Sequence, residues 1–179
     1  MTPRSREDRR ALETLERTLK HVCDRYEVGM LWREGKVKFP DNRLVAEKRL
    51  ECTERKLKRD EELAKKYCAI IKDYVDKDYA RRLTPEEASA PSPKQRFLPH
   101  HPVCNTNKPD KVRIVMDAAA KCDGVSLNDK LHTGPDLLNS LVGVLLRFRE
   151  EHVGLAADIE AMFNQVQIIE EDQPALRFL

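Results

Sequence analysis

The sequence lacks the spacing of cysteine and histidine ligands that small metal-binding modules use. Its five cysteines are odd in number and widely separated, and none forms a C-x-x-C pair. Neither a zinc knuckle nor a disulfide framework is supported, which favours a reducing, intracellular compartment. His100, His101 and Cys104 lie close together, but no fourth ligand follows at the usual spacing.

Long apolar runs are missing as well. No segment approaches the ~20 residues that a membrane-spanning helix needs, and no signal-like apolar stretch is present. No membrane partner is therefore expected. The net charge of +2 is close to neutral and by itself favours no nucleic-acid partner.

The distribution of charge says more than its sum. Between Pro91 and Lys121 six basic residues stand against two acidic ones, whereas Glu150 to Leu176 holds seven acidic residues and no Lys or Arg. A basic segment folded beside an acidic one is what a site for a metal and a phosphate-bearing ligand needs. A solvated surface gives the same counts.

The first half of the chain shows helical periodicity. Ser5 to Arg25 mixes charges with leucines at helical spacing, and Asp8 three residues after Ser5 indicates an N-cap. A second helix is predicted from Asn42 to near Asp60, and a third from Leu63 to Tyr74. Their charged faces carry both signs, so a solvated surface is the default interpretation.

The second half opens with a proline- and serine-rich boundary between Thr84 and Pro93. Beyond it, Arg96 to Val103 is predicted to be extended and Lys111 to Asp117 alternates in polarity, which indicates a β-hairpin around a turn at Asn105 to Asp110.

Two more elements are predicted further along. Gly134-Pro135-Asp136 opens a helix whose leucine-rich face, continuing to Phe148, predicts the best-buried helix of the chain. Ala175 to Leu179 is predicted to be a strand.

The stretch from Gly154 to Gln167 is the most informative. Leu155, Ala156 and Ala157 predict a buried strand that ends on a single carboxylate, Asp158. A charged carboxylate at the end of a buried strand costs free energy unless a cation lies beside it. A metal ion would supply that positive charge. A strand end capped by aspartate gives the same pattern.

Short motifs then follow one another in the order seen in retroelement reverse transcriptases. They are Lys-Val-Arg-Ile-Val-Met-Asp-Ala-Ala-Ala at 111–120, Gly-Val-Ser-Leu-Asn-Asp at 124–129, Thr-Gly-Pro-Asp-Leu-Leu-Asn at 133–139 and Ala-Asp-Ile-Glu-Ala-Met-Phe-Asn-Gln-Val at 157–166. With Arg-Tyr-Glu-Val at 25–28 and Asp-Gln-Pro-Ala-Leu-Arg-Phe-Leu at 172–179, the chain most resembles the Pol polyprotein of Bel/Pao-type LTR retrotransposons, over nearly its whole length.

The resemblance implies a role for each motif residue. Asp158 matches the first catalytic aspartate, which holds two Mg²⁺ ions, and the carbonyl of Ile159 would reach a metal. The backbone N–H groups of Ala161 and Met162 would face the triphosphate of a dNTP, and Phe163 matches the aromatic gate that excludes a ribose 2′-OH.

The hairpin would supply the cationic part of the same site. Arg113 would lie against the triphosphate, which its planar fork of donors suits, and Lys111 is the second candidate. In two-metal nucleotidyl transfer one ion activates the primer 3′-OH and the other stabilises the leaving pyrophosphate. The implied partners are an RNA or DNA template-primer, a dNTP and the remainder of the Pol polyprotein, in a cytoplasmic particle.

One departure from the family pattern limits what is expected of this chain. The Tyr-x-Asp-Asp hairpin that completes the metal site does not occur in the sequence, and Asp123 and Asp172 are predicted to be turn residues at the wrong place to substitute. Weak or absent Mg²⁺ binding and no DNA polymerisation are therefore expected of the chain alone. Aspartic-protease triplets, RNase H and integrase regions are not recognised either.

The expected fold class is α+β. Residues 1–83 are predicted to be a helical N-terminal connecting segment, 84–94 a linker, and 95–179 partial reverse-transcriptase fingers and palm. Two alternatives stay open. One is a decayed or co-opted, non-catalytic fragment that binds nucleic acid or protein, and the other is a helical interaction module made of Ser5 to Arg82.

Overall fold

A computed structural model describes residues 5–33, 35–105 and 107–179, with no side-chain description for 108–110. The described residues form a mixture of helices and small sheets, in agreement with the α+β class. The α-helices are α1 (Arg6–Thr18), α2 (Arg43–Leu57), α3 (Glu61–Asp76), α4 (Pro85–Ser89) and α5 (Leu141–Phe148). The strands are β1 (Lys20–Val22), β2 (Arg25–Val28), β3 (His100–Asn105), β4 (Lys108–Met116) and β5 (Val166–Ile168). Short 3₁₀ helices span Asn128–Lys130, Met162–Gln165 and Gln173–Leu176.

Helix α1 begins as predicted but ends early. Ser5 and Asp8 form a reciprocal capping box, in which each side chain accepts the other residue's backbone N–H. The prediction of one helix as far as Arg25 is wrong, because the chain turns at Cys23, whose φ is +52°, and β1 pairs with β2. Val22, Tyr26 and Val28 are residue types that favour strands.

A long-range parallel pairing joins the two ends of the chain. Strand β2 pairs antiparallel with β1 and parallel with β5, so that Tyr26 faces Val166 and Val28 faces Ile168. Sequence periodicity did not reveal this sheet, because a strand of three or four residues gives too short a pattern.

The predicted β-hairpin is confirmed as β3 and β4, with Val103 opposite Arg113 and His101 opposite Val115. Residue 106 of the predicted turn lies outside the described residues. Helices α2 and α3 pack along this hairpin: the Thr53 hydroxyl donates to the carbonyl of His100 over 3.0 Å.

One hydrophobic cluster joins segments that are distant in sequence. Its buried members are Val37, Phe39, Leu98, Leu127 and Ala175. They come from both sides of the predicted linker, in which Thr84 caps the short helix α4. The domain boundaries stay a prediction.

Three expectations about the second half are wrong. The helix after Pro135 begins only at Leu141, and it is the least buried rather than the best buried, with Leu141 70% exposed. Periodicity shows which residues share a helix face, but it does not show whether another element covers that face. Nothing in the described chain covers the apolar face of α5. The Ala175–Leu179 segment is a 3₁₀ turn followed by an isolated parallel bridge from Phe97 to Arg177.

The buried strand expected to end on Asp158 is also absent. Residues 153–159 have no regular secondary structure, and Leu155 is 90% exposed. A buried strand needs a neighbouring strand to satisfy its backbone N–H and C=O groups. No strand in the described ranges pairs with residues 153–159.

Among the described residues, no helix combines the length and the apolarity that crossing a bilayer requires.

Candidate functional site

The motif from Asp158 to Phe163 forms an exposed surface segment. All six residues are exposed, with Ile159 at 62% and Phe163 at 86%. Asp158 forms no ion pair with any residue of the described ranges. Its carboxylate and the Phe163 ring are therefore accessible to a ligand from solvent.

Contacts on its C-terminal side fix this segment to the end of α3. The side-chain amide of Gln165 donates to the Tyr79 hydroxyl over 3.0 Å and to the carbonyl of Glu160 over 3.1 Å. Lys77 lies 3.6 Å from the Glu160 carboxylate. The pKa of Lys77 is raised, chiefly by its hydrogen bond to Asp73 and less by the charge of Glu160.

The backbone makes a tight turn at the residues implied to face a triphosphate. Ala161 adopts a left-handed conformation with φ +50°, which is costly for a residue other than glycine. Its carbonyl accepts the N–H of Asn164 over 2.7 Å, closing the short 3₁₀ turn that starts at Met162. The N–H groups of Ala161 and Met162 thus lie on an exposed turn that leads into β5.

The two cationic candidates lie on one face of the hairpin. Lys111, Arg113 and Val115 alternate with the half-buried Val112 and Ile114, and the first three are exposed. Val103, directly opposite Arg113, is 42% exposed. Arg113 therefore stands over an open, partly apolar sheet surface.

The structure groups the predicted site residues into two sets. The first runs from Asp158 to Phe163 beside α3, and the second holds Lys111 and Arg113 on β4. Among the residues described, no hydrogen bond or ion pair joins one set to the other.

The donor set does not fit a pair of Mg²⁺ ions. The described part of the chain contains no group of three His, Cys, Asp or Glu residues placed to hold a metal. Two adjacent divalent ions need several carboxylates between them as well as phosphate oxygens. No step through bound metal follows from these residues.

A buried polar cluster, missed in the sequence, lies around Asp172. This carboxylate is 2% exposed and accepts hydrogen bonds from the backbone N–H of Met30 (2.8 Å), the indole Nε1 of Trp32 (2.9 Å) and the ammonium of Lys94 (2.5 Å). Its neighbours Glu170 and Glu171 are exposed. The sequence Glu-Glu-Asp-Gln-Pro contains no pattern that indicates which of its three acidic residues is buried.

Two further buried polar residues lie in and just before β3 and bond to distant parts of the chain. Arg96, 1% exposed, donates to the carbonyls of Ala120 and Val125 and lies over the Phe39 ring, and burial lowers its pKa. His100 contacts the Tyr67 hydroxyl through Nδ1 and the carbonyl of Leu179 through Nε2. These two contacts account for the burial of the His100 ring within the fold.

Comparisons with protein-family models, with curated proteins and with solved structures gave no match.

Proposed function

We propose that this chain is part of the reverse-transcriptase region of a retroelement Pol polyprotein of the Bel/Pao type, with the fingers and the first part of the palm as its fold. Its ancestral reaction is RNA-directed DNA synthesis on a template-primer. The observation that carries the proposal is the order of the motifs along the chain, among them the Asp158–Phe163 segment.

The geometry supports this assignment in two respects. The hairpin that would hold a triphosphate exposes Arg113 and Lys111 on one face. The aromatic ring that would exclude a 2′-OH, Phe163, is 86% exposed and stands five residues after Asp158 on a turn with its own backbone bonds. These groups could bind and select a nucleotide without carrying out transfer.

The test compares this chain with a longer one. The transcript is read beyond the codon for Leu179, and the chain is lengthened with any sequence that continues to Tyr-x-Asp-Asp. On poly(rA)/oligo(dT) with Mg²⁺, the lengthened chain should extend the primer. Asp158→Asn should abolish extension, and the 179-residue chain should give none.

Two outcomes would count against the proposal. Extension by the 179-residue chain that Asp158→Asn abolishes would mean that an unassigned carboxylate completes the site. A lengthened chain whose activity survives Asp158→Asn would remove Asp158 from catalysis.

The second candidate function is a non-catalytic module that binds nucleic acid or protein. The apolar surface between residues 137 and 163, where Leu138 and Leu155 are about nine-tenths exposed, favours it. A transcript without Tyr-x-Asp-Asp beyond Leu179 would select this function over the first.

A further inference from the structure

A hollow with an almost wholly apolar lining lies between α1 and the sheet formed by β1, β2 and β5. Its volume is about 250 Å³, and its lining includes Leu15 of α1, Val28 of β2, Ile168 of β5, Met30 and Leu131. Val28 and Ile168 are directly paired in the parallel ladder, so their side chains share one face of the sheet. No charged side chain of the described residues joins this lining. The hollow therefore suits a neutral, mainly apolar molecule.

Backbone contacts hold the walls of the hollow in place. A Cβ atom on Gly29 would lie 3.0 Å from Cγ2 of Thr18 and 3.3 Å from Cδ1 of Ile169, so the absence of a side chain lets α1 approach the ends of β2 and β5. On the opposite wall, the N–H of His132 donates to the carbonyl of Leu31 over 2.8 Å. The hollow is thus formed before any ligand enters it.

His132 is the one polar side chain of this lining, and its ring has an unpaired nitrogen. The side chain is 7% exposed, and Nδ1 is buried without a hydrogen-bond partner among the described residues. One carboxylate oxygen of Glu7 lies 3.9 Å from Nδ1, which is too long for a hydrogen bond, and the other lies 3.7 Å from Arg33. A buried polar atom without a partner costs free energy, which a ligand that bonds the imidazole would offset.

A hydroxyl is the ligand group that best matches this imidazole. No contact in the described ranges fixes which ring nitrogen of His132 carries the proton, and a neutral ring has one donor and one acceptor. A hydroxyl both donates and accepts, so it bonds either tautomer, whereas a carbonyl only accepts. A carboxylate would lose its hydration here without gaining a cation. The thioether of Met30 favours contact with an aromatic ring.

The volume of the hollow limits the ligand to one or two rings. An apolar cavity of ~150 Å³ holds benzene, whereas sites for drug-sized ligands begin at ~300 Å³. We propose that the hollow binds a small neutral phenol, with its ring against the apolar lining and its hydroxyl bonded to His132. The proposal is independent of the proposed function, because none of the residues that line the hollow has a role in nucleotide binding or transfer there.

The experiment follows the methyl resonances of the four methionines in the 179-residue chain by NMR, with p-cresol as the probe. Met30 lines the hollow, whereas Met162 lies outside it and is 49% exposed. p-Cresol should shift the Met30 resonance saturably and leave that of Met162 unchanged, and Met30→Leu assigns the signal. Toluene, the same ring without the hydroxyl, should bind about fivefold more weakly because one hydrogen bond is lost.

Two variants locate the bound ring. His132→Phe keeps a ring but removes both nitrogens, and should bring the ratio of p-cresol to toluene affinity to about one. Leu15→Phe fills part of the hollow from α1 and should weaken p-cresol about tenfold. Leu19→Phe, one turn further along at a position that is 45% exposed and outside the hollow, is the matched control and should change affinity less than about twofold. Circular dichroism melting shows whether each variant is folded, and the His132→Phe ratio does not depend on how well Leu15→Phe folds.

Three outcomes would overturn the proposal. Equal affinities of p-cresol and toluene for the parent chain would remove His132 from binding. Shifts of Met162 as large as those of Met30 would mean that the probe coats the exposed apolar surface. Tighter binding of N-acetyltyrosinamide than of p-cresol, lost in Leu15→Phe, would assign the hollow to a tyrosine side chain of a partner protein instead of a free phenol.

Discussion

The indole Nε1 of Trp32 donates to Oδ1 of Asp172 over 2.9 Å, across 140 residues of sequence. The same carboxylate binds the ammonium of Lys94 and the backbone N–H of Met30. The Lys94 ammonium also lies 5.7 Å from the centre of the Trp32 ring. One buried acid thus holds together the N-terminal segment, the predicted linker and the turn after β5.

Replacing this acid should be among the most destabilising changes in the chain. Asp172→Ala leaves two part-buried N–H donors and a partly buried ammonium without partners, and should lower the free energy of unfolding by about 3 kcal/mol. Urea denaturation followed by the fluorescence of Trp32, the single tryptophan, measures the change. Glu171→Ala, one residue earlier and exposed, is the control and should shift stability by less than about 0.5 kcal/mol. Equal midpoints for the two variants would contradict the role given to Asp172.

The side-chain amide of Asn42 should matter for a similar reason. It is 2% exposed, donates to the carbonyl of Phe97 (2.7 Å) and accepts the N–H of Phe97 (2.9 Å), which imitates a strand pair. Asn42→Ala should cost about 2 kcal/mol, since both backbone groups of Phe97 lose their partner. The exposed Asn139→Ala is the matched control. A loss below about 0.5 kcal/mol in Asn42→Ala would show that water replaces the amide.

Alkaline pH should destabilise the fold through Tyr67. Burial, and to a lesser degree the charge of Cys68, raises the pKa of Tyr67 to about 12 from 10.0. Between these values the unfolded chain releases the phenol proton while the folded chain retains it, so stability should fall as pH rises from 10 towards 12.

The variant Tyr67→Phe isolates this effect from other alkaline titrations. It loses the contact with Nδ1 of His100 and should be about 1 kcal/mol less stable at pH 8. Its melting temperature should then decline less steeply than that of the parent between pH 10 and 12. Parallel declines in the two proteins would assign the alkaline loss to other groups.

The sequence predicted the elements whose signals are local. The capping box at Ser5, the helices α2 and α3 and the β3–β4 hairpin follow from periodicity and turn chemistry within a few residues. What it missed depends on partners far away in the chain. The pairing of β2 with β5 and the burial of Asp172 involve contacts across about 140 residues, which no local pattern encodes.

The dependence of burial on distant parts of the chain also explains why the buried strand expected to end on Asp158 is absent. Apolarity in residues 154–157 and along α5 predicted burial, but burial needs a second surface, and none in the described ranges covers Leu155 or Leu141. The order of motifs could be read from the chain, whereas the distance between Asp158 and Arg113 could not. That distance depends on how the hairpin and β5 are placed by α3 and β2.

The uncovered apolar surface leads to a prediction about solution behaviour. Leu138 and Leu155 are 88% and 90% exposed. The double variant Leu138→Gln/Leu155→Gln should bind less of the dye ANS and associate less in sedimentation velocity, because exposed apolar patches drive both. Its melting temperature should stay within about 2 °C of the parent, since neither side chain contributes buried area. Leu98→Gln, in the buried cluster, is the contrasting control and should abolish cooperative melting. If the double variant loses stability as well, these leucines are buried in solution, either against the rest of the chain or against a second copy.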